Sequence, residues 1–278
     1  MELILLVAAI IPVIILCNHV YQKDINKEPK KLLFKIFMFG VLSCIPIVIV
    51  ELLLGEIFPV EKEGMNFVTA FINVFISIAL VEEGFKWIVT KKCGYDNKEF
   101  DEVYDIIVYA VFASLGFACL ENILYVLGNG LGNALLRAVT SIPGHACFGI
   151  SMGYYLSKAK INSYNNSSKT KNTMLLSIVV PTLLHTAYDA LLFIASDLSI
   201  ILFFVFDITM VVYCFKLVNK MARVQSYMNN MSNNMYNNMG NNMYNNNYIN
   251  QGSMKYCPMC GSNNNNFTYC PYCGYRIK

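Results

Sequence analysis

Seven apolar runs, at about residues 3–21, 32–54, 67–90, 104–127, 135–157, 173–195 and 199–218, dominate this chain. Each is long enough to cross a hydrocarbon core of about 30 Å as a helix. Lipid offers no water to free N–H and C=O groups, so such runs must close their hydrogen bonds internally. The expected fold is an all-α polytopic membrane protein with about seven transmembrane helices. Composition excludes an ordinary soluble enzyme: 56% of the 278 residues are hydrophobic and 14% charged, against about a quarter charged in soluble domains. The first run has the position of a signal peptide. It lacks a basic leader and a small-x-small cleavage site, and further spans follow it, so it reads as an anchor.

Charge in the loops sets the expected orientation. Lys23, Lys27, Lys30 and Lys31, then Lys91, Lys92 and Lys98, then Lys158, Lys160, Lys169 and Lys171, then Lys220 and Arg223 occupy alternate loops. The intervening loops carry Glu56, Glu61 and Glu63, or Asp197. The positive-inside rule then places the N-terminus outside and the C-terminus in the cytoplasm of a cell-membrane protein. The net charge of +3 is small and belongs to these loops, which argues against a nucleic-acid partner.

The expected organisation is a membrane domain over residues 1–222, an Asn/Met/Tyr-rich linker over 223–252 and a small module over 253–278. The linker repeats Met, Tyr and Asn without aliphatic periodicity and reads as a disordered tether. Beyond it stand Cys257-Pro-Met-Cys260-Gly and Cys270-Pro-Tyr-Cys273-Gly, separated by nine residues. Four thiolates in two CxxC pairs close a tetrahedral zinc site, and with all four positions filled that zinc is structural. The alternative is a pair of disulfides, which a cytoplasmic location disfavours. A cytoplasmic protein is the expected partner of such a ribbon. The remaining cysteines, Cys17, Cys44, Cys93, Cys119, Cys147 and Cys214, lie singly in or near apolar runs and read as small packing residues.

Several runs carry ionisable groups, each costing about 2.5–3.5 kcal/mol at the centre of a membrane helix. Glu82 and Glu83 stand four and three residues before Lys86, within reach along one helix face. Glu121 and Asn122 follow a surface of small residues, Ala113, Gly116 and Ala118, that lets a neighbouring helix approach. His145 follows a helix-breaking Pro143-Gly144 pair, and His185 lies one turn before Asp189. Groups of this kind are expected to face one another around trapped water, where a carboxylate can act as a general base and imidazoles can orient water, stabilise an oxyanion or bind a metal. An ion pair at a cytoplasmic helix end remains the plainer reading of Glu82, Glu83 and Lys86. Asp207 is expected to face the bundle and Glu51 the outer interface.

Together these residues resemble the successive motifs of the PrsW family of intramembrane proteases. They are Glu82-Glu83-x-x-Lys86, Phe117-x-x-x-Glu121 with Asn122 and Tyr125, the stretch from Arg137 to Pro143-Gly144-His145, and His185-x-x-Tyr188-Asp189, with Asp105-Ile-Ile-Val-Tyr109 similar as well. The match runs in order over roughly residues 67–195. The family is grouped with the CAAX prenyl endopeptidases and bacteriocin-processing enzymes, whose related pattern is EExxxR, FxxxH, HxxxN. The resemblance implies a membrane protease that cuts a single-pass anti-sigma factor near its extracytoplasmic side. It makes Glu82 or Glu83 the water-activating base, with His145 and His185 beside the water or oxyanion. Glu121 and Asp189 then hold these groups or join a metal, with Lys86, Asn122 and Arg137 in support. The family has been read as metal-dependent and as glutamate-type, and the absence of HExxH leaves both open.

Two other classes fit buried acids and imidazoles: an ion- or proton-coupled transporter, although no internal repeat is visible, and a catalytically silent sensor working through its ribbon. Depth raises one conflict. At about 1.5 Å per residue, these boundaries place His145, His185 and Glu121 in the middle or outer half of the bilayer, and Glu82 about two turns nearer the cytoplasm. For the ribbon, elemental analysis of the purified full-length protein should find zinc that disappears on removing residues 251–278. Metal retained by the truncated protein would belong to the membrane domain.

Overall fold

The computed structural model describes residues 2–60, 65–163 and 167–242, and all regular structure among them is helical. The helices are α1 (Glu2–Lys23), α2 (Lys30–Gly55), α3 (Phe67–Tyr95), α4 (Asp105–Val139), α5 (Ser141–Ser163), α6 (Ser167–Ile194) and α7 (Asp197–Asn242). Six segments are long and apolar enough to cross a membrane, and the 59-residue segment Asp105–Ser163 contains both α4 and α5. The seven expected runs therefore each have a helix. Leu3, Ile4, Leu52, Leu53, Ile201, Val205 and Ile208 point outward with more than half their surface uncovered. That is the face lipid would cover.

α4 is the core helix: Ile106 to Val111 are all wholly buried, and α1, α2 and α5 pack around it. The small-residue surface of α4 receives α2. A Cβ on Gly40 would lie 2.2 Å from the Ala113 carbonyl oxygen, and one on Gly116 would lie 2.2 Å from that of Phe37. Cys44 Sγ approaches the Phe117 carbonyl at 3.6 Å further along the same seam. α1 is fastened to α4 through Asn122 Nδ2, which donates to the Ala9 carbonyl at 2.9 Å, so the anchor is part of the bundle.

Two irregularities shape the site. α3 widens into π-helical turns at Phe75–Ala79 and Thr90–Tyr95, on either side of the α-helical stretch Leu80–Val89 that carries Glu82, Glu83 and Lys86. Such turns shift the helix register locally. α4 breaks at Gly130 (φ 80°, ψ −169°), a conformation essentially confined to glycine. The chain reverses there, and residues 131–139 return toward the bundle before α5 begins. Pro143, expected to break a helix, sits in the first turn of α5, where a missing N–H and a fixed φ are tolerated.

The expected two-turn offset of Glu82 is absent, for reasons visible at both ends of the helices. Asn73, six residues into α3, donates to the Pro59 carbonyl of the α2–α3 loop at 2.6 Å, and Ala70 before it is already buried against the bundle. α5 and α6 extend six residues past the apolar runs at their basic ends, to Ser163 and back to Ser167. Apolar length marks the lipid-facing stretch, and polar turns can continue a helix beyond it.

α7 runs on to Asn242, past residue 223 where the linker is expected to begin. Its continuation packs on the bundle: the Val103 N–H donates to Gln225 Oε1 at 3.0 Å, and Asn229 Nδ2 donates to Glu102 Oε1 at 3.0 Å. The rest of the expected linker and the cysteines Cys257, Cys260, Cys270 and Cys273 lie outside the described residues. The six other cysteines are free, and all but Cys93 are buried.

The α2–α4 seam predicts that Gly116→Ala destabilises the protein by about 1–3 kcal/mol, the usual cost of overpacking. Gly132→Ala, where a Cβ meets nothing within 4 Å, is the control. Thermal unfolding in detergent measures both.

Candidate active site

Lys86 is the centre of the polar cluster. Its side chain is wholly buried, and Nζ donates to Glu82 Oε2 and to Glu83 Oε1, each at 2.8 Å. Both carboxylates are thus engaged by one ammonium group, deep in the bundle and not at a solvated helix end. Nζ also lies 3.2 Å from His145 Nδ1 and 4.2 Å from the centroid of Phe117, so imidazole and aromatic face share the cation.

Each histidine is held at its other nitrogen by an acid. His145 Nε2 is 3.0 Å from Glu121 Oε2. With Nδ1 facing an ammonium donor, the neutral ring protonated on Nε2 satisfies both contacts. His185 Nδ1 is 3.0 Å from Glu83 Oε1 and its Nε2 is 3.2 Å from Asp189 Oδ2, so a doubly protonated ring satisfies two carboxylates at once. The rings are 5.5 Å apart at 86°, and Phe148 stacks on His185 at 4.6 Å.

The return segment closes the far side. Arg137 Nη2 donates to Glu121 Oε2 at 2.8 Å, and Nε donates to Asn122 Oδ1 at 2.8 Å. The guanidinium also lies 4.3 Å from the Tyr125 ring centroid. Glu82, Glu83, Lys86, Glu121, Asn122, Arg137, His145, His185 and Asp189 therefore form one connected network across α3, α4, α5 and α6.

This network floors a cavity of about 660 Å³ whose other walls are largely apolar, among them Ile47, Val48, Leu136, Phe203 and Phe204. Glu82, Glu121, His145, His185 and Asp189 reach it. Glu83 does not, being 0% exposed behind them. Glu51, near the end of α2, also lines the cavity with a buried Oε1 that has no hydrogen-bond partner, a place in the site that the sequence does not predict. Only its membership of a helix that faces the site could have revealed it. Asp207 is buried in the bundle as expected.

The donors suit a divalent metal. Glu82, Glu83 and His185 each offer a ligand atom within 4.8 Å of the others, all three are buried, and Glu83 Oε2 is unpartnered. A buried set of two carboxylates and an imidazole is a familiar N/O environment for such ions.

Residues 28–217 match the profile of the PrsW family intramembrane metalloproteases. The chain belongs to this family. It is 41% identical over 198 residues to the Protease PrsW of Oceanobacillus iheyensis, covering 71% of this chain and 87% of that one. The Protease PrsW of Bacillus subtilis is 38% identical over 191 residues (68% and 83%), and that of Clostridioides difficile 34% over 235 residues (83% and 94%). No solved structure matches. As a PrsW family member the protein is an intramembrane protease and a multi-pass membrane protein.

Removing one partner of a buried charge cluster costs about 3–5 kcal/mol. Lys86→Met should lower stability by that amount, since Glu82 and Glu83 then lose their shared counter-charge. Adding Glu83→Gln should recover part of the loss, measured by thermal unfolding of the single and double variants.

Proposed function

We propose that the cavity hydrolyses a peptide bond of a single-pass, membrane-anchored regulatory protein of the anti-sigma-factor kind, near its extracytoplasmic side. The observation that carries this reading is a carboxylate, Glu82, opening into an apolar cavity between two imidazoles that are themselves oriented by acids. The loop charges place the lysine-bearing end in the cytoplasm. The cavity then opens toward the other side, where Glu51 near the end of α2, Leu192 and Phe193 near the end of α6, and Ile200 near the start of α7 line it.

In this reading Glu82 accepts a proton from water as the water attacks the scissile carbonyl, and returns it to the departing amine. His185, facing carboxylates at both nitrogens, supplies positive charge beside the developing oxyanion. Glu83 and Asp189 fix that ring, while Glu121 fixes His145 and is itself held by Arg137. Asn122 ties Arg137 to the main chain of α1. Lys86 donates to both Glu82 and Glu83 and limits the repulsion between them. In a metal-dependent version of this chemistry Glu82, Glu83 and a His185 that has given up one proton would hold the ion, which would take over from the imidazolium in polarising the carbonyl and would lower the pKa of the attacking water.

The apolar walls fit a substrate that arrives as a membrane helix and must expose one peptide bond at the polar floor. The four-cysteine module is read as a structural zinc ribbon that engages a cytoplasmic protein.

Glu82→Gln preserves an oxygen that can accept from Lys86 but removes the base. Cleavage of a tagged single-pass substrate should fall by about 10²–10⁴-fold, the usual contribution of a general base. Retained cleavage would remove Glu82 from that role. Absence of any cut product from the native protein, with ion flux lost in the same variant, would point to the transporter class.

A further inference from the structure

At the lysine-bearing end of the bundle, five carboxylates from the α1–α2 loop and the entry to α4 gather without a counter-ion. Asp24, Glu102 and Asp105 each present an oxygen within 4.8 Å of the other two, and Glu28, Asp101 and Asp105 do the same. Asp105 belongs to both groups. Asp24 is 3% exposed and Asp105 0%.

The hydrogen bonds around them leave a definite set of oxygens over. The N–H groups of Asp101 and Glu102 donate to Asp105 Oδ2 at 3.2 and 2.7 Å. Asn26 and Asn229 donate to Glu102 Oε1, and the Tyr109 hydroxyl donates to Glu28 Oε2. Apart from weak approaches of the Ile25 and Glu28 N–H groups to Asp24, both oxygens of Asp24, Oε2 of Glu102 and Oδ1 of Asp105 remain buried with no partner. These atoms belong to the three residues of the first group.

No Lys, Arg or His nitrogen pairs with any of the five carboxylates among the described residues; the nearby pairs are Lys91 with Asp96 and Lys98 with Glu99. Lys27 instead donates to the carbonyls of Tyr21, Gln22 and Asp24. Burial pushes the Asp24 carboxyl up to about 6, against the pull of the Glu28 and Ile25 N–H groups and of Lys27. Burial, with Asp24, Asp101 and Glu99 close by, pushes Glu28 up to about 7 against the pull of Tyr109. Buried acids without a partner are costly unless something positive joins them.

We propose that Asp24, Glu102 and Asp105 bind a hard divalent cation, Mg²⁺ or Ca²⁺, that fastens the α1–α2 loop to the start of α4. The donor set is all oxygen, with no histidine or cysteine, which selects these ions over zinc or copper. Glu28 and Asp101 add negative charge beside the ion, and water completes its coordination. Gln225 and Asn229 bring α7 to the same place through Val103 and Glu102. The site is separate from the catalytic cavity: Glu121 lies 16 residues along α4 from Asp105, about 24 Å at helical rise.

The test is thermal unfolding of the full-length protein in a neutral detergent at pH 7.5, with chelator, Mg²⁺ or Ca²⁺. The native protein should gain about 5 °C in Tm, saturably, with one or both cations. Asp24→Asn and Asp105→Asn should give no gain and should match or exceed the native Tm in chelator, because each replaces a buried acid that has no counter-charge. No gain in the native protein, or an equal gain in both variants, overturns the proposal. If the variants fail to fold, Tb³⁺ luminescence of the native protein excited through Tyr104 and Tyr109 decides. Saturable emission displaced by Ca²⁺ supports the site, and its absence overturns it.

Discussion

One ammonium group serving two buried carboxylates is the interaction on which the centre of this molecule rests. Glu82 and Glu83 are adjacent in sequence, and without a cation between them two negative charges would face each other in a medium that screens little. Lys86 lies close enough on the same helix to reach both at 2.8 Å. Its third direction is taken by His145. Position, charge and ring orientation are therefore coupled, and a change at any one of these side chains is felt by the others.

The surrounding fold keeps that coupling rigid by close approach of main chains. Lipid gives helices little hydrophobic reason to associate, so packing and buried polar contacts must do it. Gly40 and Gly116 let α2 and α4 meet backbone to backbone, and Asn122 ties α4 to α1 while bonding Arg137. The polar network is thus continuous with the packing core.

Much of this was readable before any coordinates. Helix number followed from apolar length, and a close helix contact on α4 from Ala113, Gly116 and Ala118, though not that α2 makes it. Glu82, Glu83, Lys86, Glu121, His145, His185 and Asp189 stood out because lipid penalises them, and the structure brings them together. Helix ends did not follow, because polar turns beyond Leu156 and before Thr173 continue α5 and α6 without an apolar signature. The return of residues 131–139 was hidden as well: an apolar stretch reads the same whether it crosses or doubles back, and only the φ of Gly130 decides. That Glu51 faces the cavity was hidden because its distance from the end of a run says nothing about which way α2 turns it. The pairing of both glutamates with one lysine needed the geometry, since spacing allows either alone.

The reversal at Gly130 separates two properties that most enzymes keep together. Glu82, Glu83 and the histidines come from long helices locked in the core, whereas part of the rim comes from a short strip that starts at a main-chain bend and is held by the packing of Ala134 and by the Arg137 guanidinium. Lengthening or trimming that strip ahead of Arg137 would resize the rim, and the polar floor would feel it only through that one side chain.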